Sequence, residues 1–331
     1  MGLTNLVRIA TAIFIAVVLI VAVAVAILYT PSLSRETAKA RYAAPESRFL
    51  TLESGAQAHV RVQGPATAPP LVLLHGSYAH LFTWEAWAAQ LDDVRIITMD
   101  LPAHGLTGAT PDADYSRDGA VAFVDAVLTR LGVDRFVIGG NSRGGGVAAA
   151  YAATYPQKVA GLVLVDATGI YGQRAPMQPG AEPALGFQLI TMPGVRHLIT
   201  RLTPRWLVAD GLKAAVADPA VMTDEKVALY HDLLRMKGSR IAHLKREAVP
   251  NPAAVDTDAL SMPTLIQWGE DDTFIPVSLA RDWHNRLADS RLAIYDGIGH
   301  LPMVEAPEKS AADVRAFLID LGWLDAAPKA P

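Results

Sequence analysis

Gly140-Asn141-Ser142-Arg143-Gly144 sets a serine between two glycines, directly after the strand-like run Arg135–Ile138 and directly before the alanine-rich stretch Arg143–Tyr155. A serine hydroxyl is a poor nucleophile at neutral pH and needs a base held by a third group. G-x-S-x-G between a strand and a helix suits the first role. The glycines admit a tight, strained turn, the hydroxyl is pushed to the carboxyl edge of a sheet, and the helix aims its amino terminus at developing negative charge. A base is offered by His300 in Gly297-Ile298-Gly299-His300-Leu301-Pro302, a sharp loop after the last strand-like run.

Nine histidines compete for that role. His75 and His104 sit in strand-end turns and are expected to brace loops through backbone hydrogen bonds. His197, His231 and His243 read as surface residues, one of which can line a pocket, and His59, His80 and His284 have no motif around them. For the group that orients the base, the strand Thr264–Trp268 runs into Gly269-Glu270-Asp271-Asp272, and Asp166 ends another strand. Spacing alone does not choose among Glu270, Asp271, Asp272 and Asp166.

The elements that must position these residues follow from hydrophobic patterning. Leu71–Leu74, Val94–Met99, Arg135–Ile138 and Gly161–Val165 are short apolar runs of the kind buried on both faces of a parallel sheet. Phe49–Glu53 and Ala58–Gln63 flank the turn Ser54-Gly55. Helical stretches at Trp84–Leu91, Asp118–Leu131 and Arg143–Tyr155 separate the runs, which predicts a doubly wound α/β sheet with right-handed crossovers. The alternation stops over residues 171–258, where eight prolines from Pro176 to Pro252 break short amphipathic pieces such as Asp224–Met236, and this reads as a mostly helical insertion. It resumes with Thr264–Trp268, Val277–Ala288, Arg291–Tyr295 and Pro307–Leu321. The division expected is 1–29, 30–47 as a linker, 48–170 and 259–325 as the two parts of the core, 171–258 as the insertion, and 326–331 as a tail.

From Ile9 to Tyr29 the chain carries no charge. A helix rises about 1.5 Å per residue, so this run can cross a hydrocarbon core of about 30 Å. Signal-peptide cores usually run about 7–15 apolar residues. The longer run favours an uncleaved single-pass anchor, although Ala22-Val23-Ala24 and Ala24-Val25-Ala26 offer cleavage patterns. Arg8 precedes the run, and Arg35, Lys39, Arg41 and Arg48 follow it. The positive-inside pattern places the bulk of the chain in the cytoplasm, whereas the alanine-rich end and the lack of cysteine fit export.

Composition narrows the function classes. Of 331 residues, 51% are hydrophobic and 19% charged, which excludes a disordered chain. A net charge of −4 offers no basic surplus for nucleic acid. With no cysteine, thiolate zinc sites and cysteine nucleophiles are excluded, and no His-x-x-x-His pair suggests a metal. No cofactor and no protein partner are expected.

The motifs LLHGS, DLPAHG, GNSRGG, WGEDDTFIP and GIGHLPMVEAPE, in that order over residues 48–325, resemble the α/β-hydrolase family. The resemblance implies an eight-stranded, mostly parallel sheet with a cap at 171–258. It places the orienting acid at Asp272, three residues after Gly269, with Asp271 as the fallback and Asp166 as the outsider. It implies an oxyanion hole from the backbone N–H groups of Arg143 and Ser77, with Tyr78 an alternative donor. The activity implied is a serine hydrolase acting on a small-molecule carboxylic ester. Ser142 argues against the dehalogenases and epoxide hydrolases of this fold, which use aspartate there. Carbon–carbon bond hydrolases share G-N-S-x-G-G, but their H-G-x-G-P-G loop is replaced here by His75-Gly76-Ser77-Tyr78-Ala79-His80. A non-catalytic binding protein of the same fold is the third reading, against which stand all three triad groups. Two departures stand out: Ala103 replaces a glycine in D-x-P-G-H-G, and Arg143 follows the nucleophile where an uncharged residue is common. Arg143 and Tyr78 are the substrate-contact candidates. The Arg143 side chain either faces the pocket toward an acidic substrate group or turns to a nearby acid or loop carbonyl.

Overall fold

Alternation along single strands sorts the core into two layers. The computed structural model describes residues 2–172, 183–192 and 194–325; Pro176, Pro179 and Pro193 of the insertion and the tail 326–331 lie outside the described residues. In β3 (Pro70–Leu74), Leu71 and Leu73 face one apolar cluster while Val72 and Leu74 face the other. β5 (Phe136–Asn141) and β6 (Val159–Val165) divide in the same way, with Val137, Val163 and Val165 on one side and Phe136, Ile138, Leu162 and Leu164 on the other. Both faces are covered, which is why these strands are continuously apolar in sequence.

With β1 (Ser47–Thr51), β2 (Gln57–Gln63), β4 (Arg95–Met99), β7 (Thr264–Gly269) and β8 (Ser290–Tyr295) they form an eight-stranded sheet in the order β1-β2-β4-β3-β5-β6-β7-β8. The pairs β1–β2 and β2–β4 are antiparallel and the rest are parallel. One face packs the α-helices Arg117–Leu131 (α4), Arg143–Thr154 (α5) and Ser278–Arg286 (α11) through Val124, Val127, Val147, Tyr151, Ala280 and Trp283. The other packs Glu85–Gln90 (α3) and Pro307–Asp320 (α13) through Trp87, Val314 and Phe317. Observed element ends lie within a few residues of the expected ones.

The sequence Leu3–Leu28 is one long helix, α1, whose large side chains from Leu6 to Ile27 are exposed. Residues 30–47 depart from the expected linker. They hold the helix Arg35–Tyr42 (α2), whose N-cap Ser34 accepts from the Thr37 amide and whose Ala38 is fully buried. Arg41 and Tyr42 both reach Asp232 of the insertion, at 2.8 and 2.7 Å. Between β6 and β7 the insertion is helical: Leu185–Thr191 (α6), Val195–Ile199 (α7), Arg205–Ala214 (α8), Asp224–Leu234 (α9) and Ser239–Glu247 (α10). After β8 come the short helix Pro302–Glu305 (α12) and α13.

Candidate active site

Ser142 lies between β5 and α5 with φ 55° and ψ −122°, a conformation costly for any residue with a β-carbon. Neighbours on both sides hold it there. The Ser142 amide donates to the Val165 carbonyl at 2.9 Å, and the Ser142 carbonyl accepts from the amides of Gly146 and Thr168. Helix α5 presses onto the strand ends so closely that a β-carbon on Gly144 would lie 2.3 Å from the Leu74 carbonyl oxygen. One on Gly140 would lie 2.4 Å from the Gly144 carbonyl. These two glycines are therefore space requirements of the turn. The Ser142 side chain does not cap the helix it precedes.

His300 follows β8 on a loop pinned from two sides: its amide donates to the Ala215 carbonyl at 2.8 Å, and its carbonyl accepts from Asn141 Nδ2 at 3.0 Å. Gly299 permits the first contact, since a β-carbon there would fall 2.7 Å from the Ala217 nitrogen. His300 Nδ1 lies 2.7 Å from Asp272 Oδ2, and the ring stands against Phe274. Asp272 is fully buried, and its Oδ1 accepts from the amides of Phe274 and Ile275 at 2.7 and 3.0 Å. Backbone donors thus fix the carboxylate so that its other oxygen meets the imidazole.

Among the four acids left open by spacing, Asp272 is the one bonded to His300. Glu270 and Asp271 are exposed. Asp166 is buried, with φ 45°, and its Oδ1 accepts from the Gly269 amide at 3.0 Å. Burial, and then the neighbouring Asp272, push its acid well above the usual carboxylate range. A ligand atom of each of Asp166, Asp272 and His300 lies within 4.8 Å of the others. The direct hydrogen bond between the imidazole and Asp272 leaves no room for a cation between those two.

The loop after β3 closes the other side. A β-carbon on Gly76 would lie 2.8 Å from Asn141 Oδ1 and 3.1 Å from Ser142 Cβ, so this backbone passes directly over the serine turn. His75 Nε2 accepts from the Leu101 amide, which leaves Nδ1 to donate to the Gly76 carbonyl. His104 Nδ1 bonds the Pro102 carbonyl. Both histidines brace loops, as expected. Ala103 takes φ 78°, the left-handed conformation for which glycine is the usual choice.

Tyr78 is also strained, at φ 59°, and helix α10 of the insertion clamps it. His243 stacks on the Tyr78 ring with centroids 4.6 Å apart, the Arg246 guanidinium lies 4.9 Å from it, and the phenol donates to Glu247 at 3.2 Å. Arg246 Nη1 further donates to Ser77 Oγ at 2.7 Å. His243 is therefore a buried wall residue and not a surface one. Sequence reading passed over Arg246 and Glu247. Their signal is modest: three polar residues at helical spacing, 243, 246 and 247, on one face of an amphipathic helix.

Ser142, His300, Ser77, Tyr78 and Arg143 share one cavity of about 760 Å³, whose far wall includes Phe187, Leu207, Leu212 and Leu244 from the insertion. Arg143 Nη2 donates to the carbonyls of Tyr115 and Ser116 at 2.9 and 3.2 Å, so the side chain both turns to loop carbonyls and lines the cavity.

The sequence pattern of the alpha/beta hydrolase fold matches residues 69–307. The chain is 25% identical over 275 residues to Lipase 3 of Moraxella sp. (strain TA144), covering 82% of this chain and 84% of that one. It is 25% identical over 263 residues to the 2-hydroxymuconate semialdehyde hydrolase of Pseudomonas sp. (strain CF600), covering 76% and 87%. The crystal structure of a membrane phospholipase A superposes with a TM-score of 0.70 at 24% identity, covering 96% of this chain and 100% of that one, a likeness of fold. With a serine turn at the end of β5, a histidine after β8 and a matching pattern across most of its length, the chain belongs to the alpha/beta hydrolase fold family.

Proposed function

We propose that this protein is a serine hydrolase that cleaves carboxylic esters through an acyl-enzyme. Ser142 attacks the ester carbonyl, and His300 Nε2 takes the hydroxyl proton. Asp272 holds Nδ1 protonated and stabilises the imidazolium that forms. The backbone N–H groups of Ser77 and Arg143 receive the oxyanion; one such donor is typically worth about 3–4 kcal/mol in the transition state. The imidazolium then protonates the leaving alcohol. In the second half, His300 removes a proton from water, hydroxide adds to the acyl carbon, and Ser142 leaves with that proton returned. The observation that carries this reading is the His300–Asp272 hydrogen bond opening into the same cavity as a strained Ser142.

The apolar helix α1 is read as a single-pass membrane anchor on its length and its exposed apolar surface. Carbon–carbon bond cleavage is the second reading, favoured by the 25% identity to a 2-hydroxymuconate semialdehyde hydrolase. Hydrolysis of a chain-length series of p-nitrophenyl esters, by a chain starting at Thr30 and by its Ser142→Ala variant, tests the proposal. Turnover is expected in the parent and a fall of about a thousandfold or more in the variant. A folded but inactive parent, or an equally active variant, would sink the ester reading and move the carbon–carbon hydrolase reading forward.

A further inference from the structure

The molecule carries a net charge of −4, yet the described residues of its cavity wall carry the opposite sign. Among the described residues lining it, the cations are Arg117, Arg143, Arg240 and Arg246, and the anion is Glu247. The other three arginines beside Arg143 each place Nη donors on a partner, although Arg117 Nε and Arg246 Nε are buried without one. Arg240 donates to the Thr30 carbonyl and to Ser32 Oγ, and Arg117 donates to the Ala253 carbonyl. Arg246 is paired with Glu247 at 2.5 Å and bonded to Ser77.

Arg143 differs. Two loop carbonyls hold its Nη2, while Nη1 is buried without a hydrogen-bond partner, and no ion pair to it is found among the described residues. Burial, and then the nearby Arg246 guanidinium, lower its pKa from the usual arginine value. A guanidinium largely taken out of water beside a second guanidinium, with only the partly offsetting charge of Glu247 nearby, is a standing electrostatic cost. Anchoring Nη2 keeps the planar group against the cavity lining instead of letting it swing to solvent.

We propose that Arg143, with Arg246 beside it, forms an anion-binding subsite in the cavity, and that the preferred ester carries a carboxylate or phosphate group. This rests on the ester-hydrolase reading above. The charged end of the substrate lies toward the Tyr115–Ser116 segment to which the guanidinium is tied. The hydrocarbon part lies against Phe187, Leu207, Leu212 and Leu244. Arg143 lines the same cavity as Ser142, so the subsite selects half-esters over neutral esters of the same chain length.

The test compares the full chain in non-ionic detergent on p-nitrophenyl hexanoate and on the p-nitrophenyl half-ester of adipic acid, in which a carboxylate replaces the terminal methyl of the same acyl chain. The wild type should favour the half-ester at least tenfold in kcat/KM. Arg143→Met should lower that preference about 30-fold, within the range a charge-assisted hydrogen bond supports. Arg143→Lys should restore part of it. Equal losses on both esters would overturn the subsite. Calorimetry on Ser142→Ala provides a readout that needs neither turnover nor an Arg143 variant. Hexanoate or hexyl phosphate should bind at least tenfold more tightly than hexanamide, with affinity falling as salt rises. The tighter anion tells carboxylate from phosphate, and equal binding of all three would overturn the proposal. Anion binding without hydrolysis of either ester would remove the ester reading alone; hydrolysis of the neutral ester without anion preference would remove the subsite alone.

Discussion

Asp272 and Asp271 are neighbours in sequence with opposite environments. Asp272 has no solvent exposure, takes two backbone N–H groups on one oxygen and reaches His300 with the other, whereas Asp271 is exposed. Asp272→Asn keeps the size of the side chain but removes the charge that, in the proposed mechanism, fixes the imidazole tautomer. Its kcat should fall by about 10³–10⁴ with KM little changed. Asp271→Asn should stay within about twofold of the parent, because an exposed carboxylate at this distance from the chemistry is screened. Similar effects of the two substitutions, measured on one ester, would refute the assignment of Asp272. The number of acids at this strand end is why spacing could not rank them. All of them follow one strand within three residues, and only the curl of the chain over Gly269 sends one inward, where a β-carbon on that glycine would lie 1.9 Å from the Gly299 carbonyl oxygen.

Elements matter here through how closely they approach. The serine turn exists because α5 starts against the ends of β3 and β5 with glycine on both sides. Gly144→Ala keeps helix propensity and even raises it, yet the new methyl would meet the Leu74 and His75 carbonyl oxygens at 2.3 and 2.5 Å. Relief requires α5 to move off the sheet. The expected outcome is poorly soluble protein, or folded protein with kcat reduced at least 100-fold, by circular dichroism and ester turnover. Wild-type stability and rate would show that the approach is looser than described. The sheet itself was legible because strands buried on both faces read as uninterrupted apolar runs. Helix α2 was not, because it is eight residues long with one fully buried side chain, Ala38, and so has almost no periodicity to read. Its cap, Ser34 bonded to Thr37, was the available signal.

Taken whole, the molecule buries several histidines that it does not protonate. His75, His80, His104 and His243 are all held below the usual imidazole range, chiefly by burial, with His80 brought down to about 3. Unfolding returns each to an ordinary value near 6.5. The unfolded chain therefore binds more protons than the folded one between pH 6.5 and those lowered values. Stability from these groups is complete above about pH 7 and is lost as pH falls, by up to about 1.4 kcal/mol per pH unit for each histidine. Denaturant midpoints of the chain starting at Thr30 should drop steeply from pH 7 to pH 5. His80→Leu should flatten that slope by one proton, since neither His80 nitrogen has a hydrogen-bond partner among the described residues. A midpoint unchanged over this range would contradict the burial of neutral imidazoles.

Local order along the chain determined the serine turn, the parallel core and the sequence of chemical groups Ser142, acid, His300. Each of these is written in contiguous residues: an apolar run that must be buried, glycines that must turn, a loop that must follow a strand. The tertiary structure alone decided what the insertion does to the site. Helix α10 brings His243, Arg246 and Glu247 onto Tyr78 and Ser77 from about 170 residues away, and Tyr115 and Ser116 capture one end of Arg143. Side-chain direction on a short amphipathic helix depends on the surface it lands on, and that surface is assembled only when the sheet has formed.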